Sequence, residues 1–214
     1  MKPIGILGGT FDPVHHGHLR LAMECYERLD LAEVRLMPLH TPPHRHLPHA
    51  SPGQRLAMLE IAIEGIPGLI IDDCELNKND VTYTIDTLSA TRDGVGNRPV
   101  CLLMGMDAFN TLHTWRRWKS LLDYSHIVIA DRPDNTGKQN IPELNALLDA
   151  HSVSDTEPLH KTPAGKIYKM IIPMLDISAT QIRNIIASGM NTKFLLPDDV
   201  IKFIHNNNLY QSKI

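Results

Sequence analysis

Six short apolar runs, each closed by turn residues, limit this chain to a narrow set of folds. They lie at residues 4–7, 34–39, 69–71, 100–104, 127–130 and 168–172. Between them the apolar residues recur at helical spacing. Leu19, Ala22, Tyr26 and Leu29 share one face after His16. Leu56, Leu59 and Ile63 do the same after Ser51-Pro52, where serine suits the N-cap and proline the first helical position. Strands that alternate with helices build βαβ units. Runs with no polar alternation are what strands become when helices cover both faces. The expected fold is therefore α/β, a doubly wound, mostly parallel sheet with helices on both faces.

The last part of the chain is also helical. Ser178-Ala179-Thr180-Gln181 has the form of a capping box, followed by Ile182, Ile185 and Ile186, with Gly189 as a stop. Pro197-Asp198-Asp199 opens a final helix that ends near His205. Residues 131–166 hold Pro133, Gly137, Pro142, Pro158 and Pro163, and are expected to form an irregular excursion rather than a second domain. Residues 1–214 are thus expected to form a single domain.

Composition removes several functions. The 214 residues carry a formal net charge of -3, without the basic excess that a nucleic-acid binder needs to displace counterions. No apolar stretch is long enough to span a membrane. Cys25, Cys74 and Cys101 are too few and too scattered for a disulfide framework or a zinc site. All three are expected to be buried, which fits a reducing, cytoplasmic location. The sequence leaves the oligomeric state open, a homo-oligomer included.

Chemistry concentrates after the first strand, in Gly8-Gly9-Thr10-Phe11-Asp12-Pro13-Val14-His15-His16-Gly17-His18. A strand, a glycine turn and a helix start bring backbone N–H groups and a helix dipole to one point, which suits phosphate. The glycines do not form the dinucleotide-dehydrogenase fingerprint. His15 and His18 are three apart and point the same way on a helical turn. Gly17 between them leaves room for a ligand to approach the backbone. Two imidazoles at a helix mouth form a site for anionic oxygens, most useful where charge builds up in a transition state. A metal pair is the competing reading, but it calls for a spacing of four and a third ligand. A pair of solvated histidines is the other.

These segments resemble a known family. Gly8 to His18 is similar to the G-x-F-x-P-x-H-x-G-H signature of the nucleotidylyltransferase superfamily. Ile177-Ser178-Ala179-Thr180-Gln181-Ile182-Arg183 is similar to its second signature, I-S-x-T-x-I-R. Within the superfamily the chain most resembles the bacterial nicotinate-mononucleotide adenylyltransferases. That resemblance extends to Thr41-Pro42-Pro43-His44-Arg45, the segment from Thr82 to Leu88, Gly105-Met106-Asp107 and Trp115.

The resemblance implies a Rossmann-like sheet order and adenylyl transfer from ATP to nicotinate mononucleotide, in NAD biosynthesis. It implies catalytic roles for His15, His18 and Arg183. It implies ATP contacts from Gly8, Gly9, Thr10, Phe11, His44, Arg45, Gly105, Asp107, Ile177, Ser178, Thr180 and Arg183. It implies nicotinate mononucleotide contacts from Thr82, Tyr83, Thr84, Trp115, Arg116 and Arg132, with Trp115 stacked on the nicotinate ring and Trp118 packing. Mg²⁺ would be bound mainly through the ATP phosphates, with no metal ligands from the protein. The loop with His40, His44, His46 and His49 also invites a metal reading, but its prolines suit an extended, mobile loop better than a tetrahedral cage.

Other readings of the same signatures are phosphopantetheine, cytidylyl and flavin adenylyl transfer. A non-catalytic nucleotide sensor on the same fold is a further alternative.

Overall fold

The computed structural model describes residues 1–40, 47–76, 82–132, 141–173 and 175–211. The chain runs β1 (Ile4–Gly9), α1 (His16–Arg28), β2 (Glu33–Pro38), α2 (Pro52–Ile63), β3 (Leu69–Ile71), α3 (Thr84–Val95) and β4 (Val100–Gly105). It continues through α4 (Met106–Asn110), two 3₁₀ turns, α5 (Leu121–Tyr124), β5 (His126–Asp131), α6 (Pro142–His151) and β6 (Ser152–Val153). The last elements are α7 (Glu157–Lys161), β7 (Ile167–Ile171), α8 (Ala179–Ala187) and α9 (Asp198–Asn206). The strands form one sheet in the order β3-β2-β1-β4-β5-β7-β6, and each pairing is parallel.

Strand periodicity divides the core into two. Leu7, Leu103, Cys101, Val128 and Ala130 enter one buried cluster, together with Ala22, Leu59, Ile182, Val200 and Ile204 from α1, α2, α8 and α9. Ile6, Leu102, Met104, Ile127 and Ile129 enter the other, with Leu88, Phe109, Leu121 and Leu144 from α3, α4, α5 and α6. Alternate residues of one strand thus serve opposite faces, as the pleat requires.

The strand order reverses between β1 and β4. In open α/β sheets that reversal leaves a crevice at the carboxyl ends of the two strands. Gly8-Gly9 closes β1 and Gly105 closes β4, so the glycine turn and the Gly105-Met106-Asp107 segment border that crevice.

Three expectations change. The described part of 131–166 is not irregular: it forms α6, β6 and α7, with Leu144 and Leu159 fully buried. Two of its prolines stand at helix starts, Pro142 in α6 and Pro158 in α7, where a missing N–H costs nothing, and Pro163 follows the end of α7. β6 is two residues long, too short for its pattern to register in the sequence. Cys74 is exposed, because it follows Asp72-Asp73 in the turn after β3 rather than an apolar run. Cys25 and Cys101 are buried, and burial pushes both thiols up to about 12.

The inward face of α2 also departs from expectation. It consists of Arg55, Met58, Leu59 and Ala62, with Arg55 fully buried. Ser51 caps this helix, accepting the Gln54 N–H at 3.2 Å, while Gln54 Oε1 accepts the Ser51 N–H at 2.9 Å. Such a cap contributes about 1 kcal/mol.

Candidate active site

The first signature folds as a turn into the mouth of α1. His15 is the N-cap residue and His18 the third residue of the helix. Their rings stack with centroids 3.7 Å apart, and the buried Phe11 ring meets His18 edge-on at 5.0 Å. His18 Nδ1 accepts the His15 backbone N–H at 3.3 Å. A backbone N–H can only donate, so the neutral His18 ring keeps its proton on Nε2, available to an oxygen. His15 Nδ1 is buried and has no hydrogen-bond partner among the described residues.

The glycines here work through packing. A Cβ on Gly17 would lie 3.0 Å from His15 Nδ1, so the space expected for a ligand holds the His15 ring instead. A Cβ on Gly9 would lie 2.9 Å from the Phe11 ring, whereas one on Gly8 would meet nothing closer than 4.0 Å. Phe11, at φ 50°, is 1% exposed, so its side chain belongs to the core and only its backbone borders the turn.

Burial sets the protonation of the pair. It holds His15 down at about 4, with the charge of His16 adding to the effect. It holds His18 well below the usual imidazole range, with His15 contributing. Both rings are therefore neutral donors at pH 7 in the free protein. In the unfolded chain they titrate near 6.5, so between about pH 6.5 and 4 the unfolded state binds more protons. The stability contributed is complete above about pH 6.5 and is lost as pH falls toward 4. The melting temperature of the ligand-free protein should fall across that window, and His15→Asn should flatten the slope. Identical pH slopes for the two proteins would contradict this.

The second signature closes on the first. Ser178 caps α8 by accepting the Gln181 N–H at 3.2 Å. Arg183 donates Nη1 to the Asp12 carbonyl at 2.8 Å and Nη2 to Thr180 Oγ1 at 3.1 Å. The Ile177 carbonyl approaches Gly17, and the His16 N–H donates to Leu195 O at 3.0 Å. His15, His18, Ser178, Thr180 and Arg183 are thus brought together from opposite ends of the chain.

A third group gathers on the α3 side. Tyr83 is the cap residue of α3 and Thr84 its first residue. The Arg116 guanidinium lies 4.5 Å over the Tyr83 ring, joining the segment after Trp115 to the start of α3. Trp115, Trp118 and Tyr83 are each partly buried against the second core cluster. Asp107 is exposed in the first turn of α4. Arg132, just past β5, is paired with Asp176 at 2.7 Å, next to Ile177. Thr10 is half-buried, and its carbonyl accepts Arg55 Nη1 at 2.7 Å. His44 and Arg45 lie outside the described residues. Among the described residues no group of three His, Cys, Asp or Glu could hold a metal ion.

The sequence model of the cytidylyltransferase-like family matches residues 6–185, a span that includes both signatures. The chain belongs to this family. It is 44% identical over 211 residues to a probable nicotinate-nucleotide adenylyltransferase of Aeromonas salmonicida, covering 98% of each. It is 46% identical over 212 residues to a relative of the same description from Pseudomonas fluorescens, covering 99% of this chain and 98% of the relative. Within the cytidylyltransferase-like family, the chain belongs with the nicotinate-nucleotide adenylyltransferases. Its fold is similar to that of Plasmodium falciparum nicotinic acid mononucleotide adenylyltransferase complexed with NaAD. The TM-score is 0.77 at 19% identity, over 98% of each chain. The same enzyme complexed with APC gives a TM-score of 0.75.

Several side chains that build this cytidylyltransferase-like site were not singled out from the sequence. Arg55 donates Nη1 to Thr10 O and Leu39 O, each at 2.7 Å, and Nη2 to His40 O at 3.1 Å. It ties the glycine turn to the end of β2. Its sequence signal was a charged residue on the apolar face of α2, in step with Met58, Leu59 and Ala62. Glu75, 1% exposed, accepts Thr82 Oγ1–H at 2.7 Å and Thr87 Oγ1–H at 2.5 Å. The Thr82 hydroxyl, expected to meet the substrate, is therefore engaged by Glu75. No local pattern distinguishes Glu75 from a surface glutamate.

Proposed function

We propose that the chain transfers the adenylyl group of ATP to nicotinate mononucleotide, giving nicotinate adenine dinucleotide and pyrophosphate in NAD biosynthesis. The observation that carries this reading is the meeting of the two signatures, with Arg183 on the Asp12 carbonyl beside the stacked His15 and His18. Full-length identity to relatives described as nicotinate-nucleotide adenylyltransferases supports the substrate.

The chemistry is a single displacement. A 5′-phosphate oxygen of the mononucleotide attacks the α-phosphorus of ATP. The bond from the α-phosphorus to the bridging oxygen breaks, and pyrophosphate leaves with the electron pair. The attacking oxygen is already ionised at neutral pH, so no general base and no protein nucleophile is needed. Catalysis is then positioning and charge stabilisation. His18 Nε2–H and the His15 ring stabilise the α-phosphate. Arg183, the first-turn N–H groups of α8 that the Ser178 cap does not engage, and His44 with Arg45 hold the leaving pyrophosphate. Gly8, Gly9, Thr10 and Phe11 offer backbone to the phosphates, and Asp107 beside Gly105 accepts ribose hydroxyls. Arg132 meets the mononucleotide phosphate once released from Asp176.

Mg²⁺ fits this donor set only as a partner of ATP. The phosphate side of the site is built from N–H donors, and the buried Asp12 carboxylate is already engaged by three donors. When bound with ATP, the ion would offset the negative charge of the phosphates, and the chain's own N–H donors would orient them.

The test is to incubate the purified protein with ATP and Mg²⁺ and one candidate acceptor at a time, and to quantify products and pyrophosphate. The acceptors are nicotinate mononucleotide, phosphopantetheine and flavin mononucleotide, with CTP replacing ATP in a further arm. Nicotinate adenine dinucleotide should be the dominant product. Faster turnover in any other arm would reassign the substrate.

Trp115 provides a second check. If its ring stacks on the nicotinate, Trp115→Ala should weaken mononucleotide binding by about 1–3 kcal/mol. The mononucleotide KM should rise while the ATP KM stays within about twofold, roughly 0.4 kcal/mol. Trp115 also packs against the second core cluster, so a modest loss of melting temperature is expected too. A parallel rise of both KM values would assign it to packing alone.

A further inference from the structure

The C-terminal tail carries a tyrosine for which adenylyl transfer has no stated use. After α9 the chain turns back, with Leu209 buried and its N–H donated to Ile204 O at 3.0 Å. Tyr210 follows at φ 61°, in the left-handed region that disfavours a bulky side chain. Such a conformation persists only where its surroundings hold it. Here the phenol is held by Asp12, whose Oδ1 accepts the hydroxyl at 2.8 Å across 198 positions of sequence. Burial, then the Asp12 charge and this hydrogen bond, raise the phenol's pKa and keep it a donor.

Asp12 is a junction. Only 4% exposed, its carboxylate also accepts the His49 N–H at 2.8 Å and the Ala50 N–H at 3.0 Å. Its own carbonyl accepts Arg183 Nη1 at 2.8 Å. Two residues of chain separate it from His15. Phe11, just before it, has a positive φ of 50°, so the backbone is strained at Tyr210 and at the residue that precedes Asp12. Without the phenol the carboxylate keeps two hydrogen-bond donors, both from the segment that leads into α2, with Arg183 Nη1 4.0 Å from its Oδ2. Any shift of the Asp12 peptide would carry the Arg183 guanidinium with it, because that guanidinium donates to the Asp12 carbonyl.

We propose that Tyr210 is a positioning residue for the reaction. Its phenol fixes the Asp12 peptide, which orients Arg183 and leads into the His15–His18 turn. This rests on the adenylyl-transfer reading of the site. Displacements well under an ångström at a reacting group are costly, so the effect should exceed what the loss of one peripheral hydrogen bond suggests.

The test is Tyr210→Phe, which keeps the ring and deletes the hydroxyl. Its kinetics are to be measured well below the melting temperatures of both proteins. Pyrophosphate binding in the absence of nucleotide is to be titrated calorimetrically. The expected result is a kcat about tenfold lower and a pyrophosphate Kd about fivefold higher, with the mononucleotide KM within about twofold of wild type. Unchanged kcat and pyrophosphate Kd would overturn the proposal. So would a uniform worsening of all parameters, the mononucleotide KM included, which is the mark of a general structural role. A wild-type protein that binds pyrophosphate but forms no dinucleotide would defeat the adenylyl-transfer reading instead. The pyrophosphate titration of Tyr210→Phe then still decides the positioning role.

Discussion

His18→Ala is expected to lower kcat by about 10²–10⁴-fold with little change in either KM, the scale of losing a donor aimed at developing transition-state charge. The geometry makes the loss specific. His18 Nδ1 is engaged by the His15 N–H, so the neutral ring has one donor, Nε2–H, to offer. The ring is held between His15, stacked at 3.7 Å, and the edge of Phe11. A donor fixed in this way needs no reorganisation as charge accumulates on the α-phosphate oxygens. On the proposed reading, substrate binding relies instead on Arg183, backbone N–H groups and Trp115, so little change in KM is expected. Steady-state kinetics with both substrates varied is the measurement. Near-wild-type turnover would remove His18 from the chemistry. His15→Ala should also be damaging, because the His15 ring is the stacking partner and fills the space over Gly17.

The second large effect is discrimination between nicotinate and nicotinamide mononucleotide, which differ in a carboxylate against an amide. Among the described residues the first turn of α3 has no side-chain cap, and the N–H groups of Thr84 and Ile85 are open to a ligand. Free N–H groups at a helix start favour an anion. The Arg116 charge over the Tyr83 ring adds to the preference. An amide would turn its NH₂ toward at least one of these donors, leaving both unpaired. The carboxylate of Glu75 is not presented to a ligand, because it is 1% exposed and turned to the Thr82 and Thr87 hydroxyls. Preference for nicotinate mononucleotide should reach at least about 10²-fold in kcat/KM, roughly 3 kcal/mol. Competing both substrates in one reaction and quantifying both dinucleotides measures the ratio directly. A ratio near one would sink the anion-pocket argument and leave adenylyl transfer intact.

The sequence by itself determined the elements that depend on neighbours along the chain. Each of the six apolar runs became a strand, because continuous apolar character is what a strand covered on both faces requires. Ser51, Ser178 and Gly189 marked helix ends through local hydrogen bonding and a left-handed backbone. The two signatures were legible for the same reason: each is contiguous, with its chemistry written within a few residues.

What only the tertiary structure decided are the contacts that join distant segments. Arg183 meets Asp12 across 171 positions and Tyr210 meets it across 198. Arg55 clamps the glycine turn from α2, and Glu75 takes the threonine hydroxyls at and beyond the start of α3. Of these, Glu75 is a lone polar residue whose local pattern also fits an ordinary surface position. Its role comes from burial, where an unpaired polar group is costly and must find a partner wherever the fold supplies one. Periodicity reports which face of an element turns inward. It carries no information about which inward-facing groups from separate elements come within hydrogen-bonding distance, and that distance sets the geometry of this site.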